Sequence, residues 1–293
     1  MAREAMITAH GLAVDAVVLV PMVAAGDKIL DRALADVGGK ALWTRELDRA
    51  LADGTIDAAV HSMKDVETER PMRFTIAAML PRADVRDRLI GAVTIAALPV
   101  GARIGTSSPR RTAQILSLRP DVVPVLLRGN VGTRLAKIAN GECDATFLAA
   151  AGLDRLGMAD IGHAIEDGIM LPAPQQGAIG IEVRSDDGAA AQIVSAINHP
   201  PTLRAVLCER AFLAAVGGDC RSPIAALATI DADGKMTLQA QLLSGDGTAE
   251  LRDIWTGPAS GTNDGSGDAQ GARTLARHML ANAPALVSAM FAP

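Results

Sequence analysis

The sequence predicts an α/β protein of two lobes followed by a smaller α+β domain. Three observations carry that prediction. Helical and strand patterns alternate at βαβ spacing through the first two blocks, and loops rich in glycine and arginine follow the strand patterns. The composition then shifts at His199-Pro200-Pro201, after which three strand patterns are joined by Asp/Gly turns. At 293 residues the chain exceeds one ordinary core, so two or three domains are expected.

Taken in order, Ala2 to Ala9 reads as a piece of helix and the Val-rich Ala16 to Met22 as a short buried strand. A turn at Ala24-Ala25-Gly26-Asp27 and a polar loop at Asp36-Val37-Gly38-Gly39-Lys40 follow. Leu42, Leu47, Ala50 and Leu51 share one helical face over Ala41 to Ala52, and Gly54 stops that helix. Ile56 to Val60 is a buried strand leading straight into His61-Ser62-Met63-Lys64-Asp65, and Phe74 to Leu80 is another strand. In the second block Arg103 to Gly105 ends a strand, and Ser108 caps a helix that Pro109 begins and Pro120 closes. Val122 to Leu127 is a strand running into Arg128-Gly129-Asn130-Val131-Gly132-Thr133-Arg134 and a helix that ends near Gly141. Asp144 to Ala150 is a strand followed by a loop through Gly152 and Gly157, and Ala178 to Arg184 is one more strand. The last third holds a helix from Thr202 to about Val216, the loop Gly217-Gly218-Asp219-Cys220-Arg221-Ser222-Pro223, and three strands with turns at 231–234 and 244–247. A flexible Gly-rich connection, Gly261 to Gly271, precedes a final helix whose Ala272, Leu275, Ala276, Met279 and Leu280 share a face.

Composition removes several function classes. Aromatic residues reach only 2%, with no Tyr, so base-stacking platforms are not expected. A net charge of -5 argues against a general nucleic-acid binder. No segment approaches the roughly 18 apolar residues of a membrane helix. The run Ala16 to Ala25 lacks signal-peptide flanks, since Glu4 offsets Arg3 and Pro21 interrupts it. Three cysteines without close spacing, Cys143, Cys208 and Cys220, fit a reducing cytoplasm. The five histidines show no ligand spacing, so no metal site is expected, and His61 is assigned a structural role.

The chemistry gathers at strand ends. Arg110, Arg111, Arg128, Arg134 and Arg155 fall on or just beyond loops of the second block, beside Ser107 and Ser108 at a helix N-terminus. Guanidinium forks and helix N-termini both take carboxylate or phosphate, so together these residues predict a polyanion cleft; singly, each arginine also reads as a solvated surface residue. No stretch matches a P-loop or dinucleotide fingerprint, so no nucleotide is expected. Asp65, beside Lys64 at a strand's carboxyl end, suits a general acid and base or a stabiliser of a cationic intermediate; a helix cap or surface ion pair is the alternative. Cys220 is a reachable loop thiol whose thiolate Arg221 favours and Asp219 opposes, or else a surface cysteine without a role.

Jointly, Val60-His61-Ser62-Met63-Lys64-Asp65, Gly105-Thr106-Ser107-Ser108 with Arg110-Arg111, Leu127 to Arg134, and Gly217-Gly218 with Cys220 and Pro223 resemble the hydroxymethylbilane synthase, or porphobilinogen deaminase, family over nearly the whole chain. The resemblance implies two domains like type II periplasmic binding proteins, 1–82 with 177–196 and 83–176, and a cofactor-attachment domain, 199–293. It implies a monomeric cytoplasmic transferase that joins four porphobilinogen molecules head to tail with loss of ammonia. The product chain grows on a dipyrromethane cofactor in thioether linkage to Cys220. Asp65 matches the catalytic aspartate, which assists loss of the amine and holds pyrrole N–H groups through a cationic stage. Arg110, Arg111, Arg128, Arg134 and Arg155 match arginines that bind acetate and propionate side chains, and Lys64 and Ser108 match further contacts. Lys40 falls in a stretch similar to the family's active-site loop, with Trp43 beside the substrate.

One departure sets a further expectation. Family members begin with a strand and an Arg-x-Ser-x-Leu-Ala loop, whereas fifteen residues without either precede Ala16. The strand is expected to be missing from the first sheet, with weak activity or poor folding of the chain as given. A non-catalytic anion-binding α/β module is the second reading, told apart by whether a dipyrrole adduct sits on Cys220.

Overall fold

The structure, a computed structural model, describes residues 1–23, 43–219, 221–259 and 266–291. The turn expected at 24–27, the loop at 36–40 with Lys40, and Cys220 itself lie outside the described residues.

Helix α1 (Ala2–His10) ends where Gly11 turns left-handed at φ 60, and α2 (Arg45–Ala52) buries Ala50 and Leu51 against the sheet that follows. Strands β1 (Ala58–Ser62) and β2 (Phe74–Met79) flank a 3-10 turn, Met63–Asp65, that carries Lys64 and Asp65. The strand expected at Ala16–Met22 does not form: residues 17–23 take no regular structure, and Val18, Leu19 and Val20 are exposed. Valine content supplies propensity, but a strand exists only where an edge receives its backbone, and none of the described strands pairs there.

The second unit runs through β3 (Asp87–Ile90), β4 (Arg103–Thr106), α3 (Pro109–Leu118), β5 (Val123–Leu126), α4 (Val131–Ala139), β6 (Ala145–Ala149), α5 (Ala150–Arg155) and β7 (His163–Ala164). Its sheet has the order β5-β4-β6-β3-β7; β4 is parallel to β5 and β6, while β3 runs antiparallel to β6. Leu89, Ile104, Ile115, Ala145 and Phe147 close its core. Three elements escape the sequence reading here, one of them the two-residue β7. Strand β3 is short and its pattern is broken by Asp87 and Arg88, and α5 occupies the stretch expected to be a loop.

The chain then returns to the first unit as β8 (Ile179–Arg184) and α6 (Gly188–Ser195). β8 inserts between β1 and β2, antiparallel to both, with Val60 opposite Ile181. The first sheet is therefore antiparallel, although helix and strand patterns alternate at βαβ spacing in this stretch. A strand arriving from residue 179 fills the place between two strands that are neighbours in sequence.

The C-terminal part begins at α7 (Pro200–Val216), capped by His199, which accepts a hydrogen bond from the Thr202 N–H. It continues with β9 (Ile224–Ile230), β10 (Lys235–Leu243) and β11 (Glu250–Ala259) in an antiparallel sheet, then α8 (Ser266–Asn282) and α9 (Ala285–Ser288). Phe212, Leu238, Leu242, Leu275 and Met279 form its own core. The Gly-rich stretch expected to stay irregular to Gly271 is helical from Ser266, because Ala272, Leu275 and Ala276 gain a buried face against this sheet. The architecture is mixed α/β with a separate C-terminal α+β domain. No helix among the described residues is long and apolar enough to cross a membrane.

Candidate active site

Two segments link the first and second units, residues 80–87 and 175–178, and the candidate site is built on them. Gly177 takes φ 82, and a Cβ there would lie 2.6 Å from the Ala83 carbonyl oxygen, so the two segments touch backbone to backbone only because this position is glycine. Arg82 donates from Nε to the Gln176 carbonyl at 3.0 Å and pins the crossing.

At the start of β3, Asp87 is fully buried. Its carboxylate accepts from Arg110 Nη2 at 2.8 Å, from Arg111 Nη2 and Nε at 2.7 and 3.2 Å, and from Gln176 Nε2 at 2.9 Å. Burial by itself raises a carboxyl pKa, but the two facing guanidiniums outweigh it and hold Asp87 far below the usual carboxylate range. The sequence analysis passed over Asp87; an acid opening a short strand carries no local signal. Arg110 further donates to Gln114 Oε1 and the Leu171 carbonyl, and Arg111 to the Phe147 carbonyl. The adjacent Arg110 and Arg111 thus face one anion because α3 starts at the carboxyl end of β4, with the Ser108 hydroxyl accepting the Arg111 N–H as its cap.

Lys64 joins this cluster from the first unit. Its Nζ lies 3.5 Å from Gln176 Oε1, and desolvation pushes its pKa down; Asp65 and Asp87 oppose that, while Arg111 and Arg110 add to it. Arg134, half-buried on α4, donates to the Gly129 carbonyl, and its pKa falls to about 10 through burial and through repulsion from Arg111 and Arg128. Arg128 is buried at the end of β5. Arg155 lies on the surface at the end of α5 and donates to the Gly177 carbonyl at 3.0 Å; partial desolvation where it leans on the crossing nudges its pKa down.

Lys64, Asp65, Arg110, Arg111, Arg128 and Arg134 are therefore connected electrostatically, and Arg155 reaches the same crossing. Ser108 serves as helix cap, and Asp65 is exposed on the 3-10 turn beside Lys64. His61 has the structural part expected of it: Nε2 sits 3.1 Å from Glu182 Oε2, and Arg70 grips the same carboxylate. The two described cysteines, Cys143 and Cys208, are buried, and desolvation drives the Cys208 thiol up to about 12, which suits inert packing.

Arg110, Arg111 and Lys64 face the buried carboxylate of Asp87, and Arg134 adjoins Arg111 and Arg128, an excess of positive charge in an acidic protein. Arg110 and Arg111 repel Lys64, and Arg111 and Arg128 repel Arg134, so an incoming polycarboxylate would relieve the repulsion. The buried Nε of Arg110 also finds no acceptor among the described residues. This donor set fits a ligand bearing acetate and propionate groups, such as a dipyrromethane.

A family model for the porphobilinogen deaminase dipyrromethane cofactor-binding domain matches residues 2–192, and the model of the C-terminal domain matches 203–265. The chain belongs to the porphobilinogen deaminase family. A porphobilinogen deaminase of Sphingopyxis alaskensis is 58% identical over 297 aligned residues, covering 100% of this chain and 91% of its own length. That of Moorella thermoacetica is 51% identical over 90% of this chain and 83% of its own, and that of Paracoccus denitrificans 45% identical over 97% and 89%. Among solved structures, an ABC-transporter periplasmic substrate-binding protein of Coxiella burnetii aligns with 53% of this chain and 77% of its own at 19% identity and a TM-score of 0.34.

Proposed function

We propose that the chain is a hydroxymethylbilane synthase that condenses four porphobilinogen molecules head to tail and releases the linear tetrapyrrole by hydrolysis. The observation that carries the reading is the cation cluster of Lys64, Arg110, Arg111, Arg128 and Arg134 gathered about Asp87 beside the Lys64-Asp65 turn. A dipyrromethane in thioether linkage to Cys220 would supply an anchored pyrrole whose free α-carbon accepts the first unit, with Lys64, Ser108, Arg128, Arg134, Arg155 and the arginine pair holding its carboxylates. Lys40 belongs with these contacts on the same reading.

In each step the C–N bond of the substrate aminomethyl group breaks and ammonia leaves with its electron pair. A bound dipyrromethane would supply the nucleophilic α-carbon to which the methylene carbon joins, in exchange for that carbon's proton. Asp65 serves both ends of that exchange, protonating the departing amine and accepting a proton from the newly joined ring, and its negative charge stabilises the cationic pyrrole between. The guanidiniums position carboxylates and transfer no proton, since they stay protonated at neutral pH. The same reading divides the chain into 1–82 with 177–196, 83–176 and 199–293, and makes it a monomer of the reducing cytoplasm.

Intact-protein mass tests the proposal. A dipyrrole adduct that disappears in Cys220→Ser, with porphobilinogen consumed by the wild-type protein, is expected. An unmodified protein that binds carboxylates without turnover would sink it and leave an anion-binding module. Asp65→Ala should keep the adduct and lose turnover by about 100-fold or more, the usual scale for a general acid and base.

A further inference from the structure

Two charged residues of α7 turn into the protein, where an unpaired charge is costly. Glu209 is 0% exposed and Arg210 8%. Glu209 accepts two bonds from the Arg82 guanidinium at 2.7 and 3.1 Å, one from the Gln175 N–H at 2.5 Å and one from the Ala228 N–H at 2.7 Å. Arg210 donates from Nη1 to Gln175 Oε1 and from Nη2 to the carbonyl oxygens of Glu67 and Thr68, each at 2.7 Å.

Gln175 is the one non-glycine residue with positive φ among the described residues, at 67°. A left-handed backbone costs an L-residue roughly 1–2 kcal/mol and persists only when its surroundings hold it. Here Glu209 holds its N–H while Arg210 holds its side-chain oxygen. The next residue, Gln176, bridges Lys64 and Asp87. Glu67 and Thr68 follow Asp65 by two and three residues. A single guanidinium of the C-terminal domain thus touches the linking segment 175–178 and the chain just past the Lys64-Asp65 turn.

We propose that Arg210 is a positioning residue for the reaction. It fixes the turn bearing Asp65 through the Glu67 and Thr68 carbonyls and locks Gln175, so that the acid–base carboxylate keeps its place relative to the arginine cluster. A planar fork can reach three acceptors at once, whereas a lysine ammonium in the same place meets fewer of them. The inference rests on the function proposed above.

Arg210→Met and Arg210→Lys in the full chain test it. The expected result is a kcat about 10-fold or more below wild type with KM within about 3-fold, since the carboxylate contacts stay in place. The dipyrrole mass on Cys220 should be complete, and amide exchange over residues 63–70 should quicken by about 10-fold as the turn loosens. Adding Gln175→Gly, which accepts positive φ freely, should restore the melting temperature but not kcat.

Wild-type kcat with unchanged exchange in Arg210→Met overturns the proposal. So does a parallel loss of adduct, kcat and protection across the whole chain, or recovery of kcat by Gln175→Gly. If Arg210→Met does not fold, Arg210→Lys decides by the same split. Failure of the enzymatic reading shows separately, as a wild-type protein without adduct or turnover, and exchange over 63–70 still reports on Arg210.

Discussion

Asp87 is one buried carboxylate that faces two guanidiniums and an amide. Removing one partner of such a group leaves charge buried and uncompensated, at a cost of about 3–5 kcal/mol. Asp87→Asn should therefore lower the urea midpoint by that equivalent, whereas Asp57→Asn, at an exposed carboxylate in a long ion pair, should lie within about 0.5 kcal/mol of wild type. Gly177→Ala meets the Ala83 carbonyl at 2.6 Å with φ 82, so the two linking segments must separate; a destabilisation of about 1–3 kcal/mol by the same measurement is expected. Lys64 and Asp65 were legible as a pair because both follow a strand at once. Asp87 was not, because nothing local distinguishes an acid that faces two arginines from one that faces solvent.

Among the elements, α4 shows how the motif from Arg128 to Arg134 works as a local unit. Gly129 at φ 114 brings its backbone against Thr133, and Asn130 caps the helix by accepting the Thr133 N–H at 2.9 Å. Asn130→Ala should cost about 1 kcal/mol of stability, read as a lower melting temperature, and should loosen Arg134, whose Nε bonds the Gly129 carbonyl. On β8, Glu182 joins His61 and Arg70; burial raises its pKa, but those bonds bring it down to about 2 from an ordinary 4.5. A carboxyl with a depressed folded-state pKa adds stability above its unfolded value and loses it as pH falls through the folded one. Stability should therefore drop between pH 4.5 and about 2, and Glu182→Gln should flatten that limb of a pH–stability curve; an unchanged slope would refute the assignment. Periodicity and caps made α3, α4, α7 and the β9 to β11 meander readable, whereas β3 and α5 lacked both.

At the scale of the whole molecule, polar bonds join the parts. Gln114 donates to Gln241 Oε1 at 2.8 Å, and Gln241 to Glu250 at 2.6 Å, so α3 is tied to the sheet of the C-terminal domain. Arg82 and Glu209 tie the linking segments to α7. Glu209→Gln removes the charge that Arg82 faces and should destabilise the protein by about 3–5 kcal/mol, whereas replacing both partners by apolar residues of similar volume should recover most of that loss. Denaturant unfolding of the two variants checks the pair.

The sequence by itself determined the family, through arginines at strand ends, an acid beside Lys64, a cysteine loop, and spacings specific enough to mark it. It also determined the elements whose signals are local, because caps, turns and periodicity act over a few residues. Only the tertiary structure decided that β8 divides β1 from β2, that residues 17–23 pair with none of the described strands, that Asp87 and Gln176 join the arginine cluster, and that Arg210 grips residues 67, 68 and 175. The reason is physical: strand order and the pairing of buried charges depend on groups about 20 to 140 residues apart in the chain, which meet only once the cores have packed.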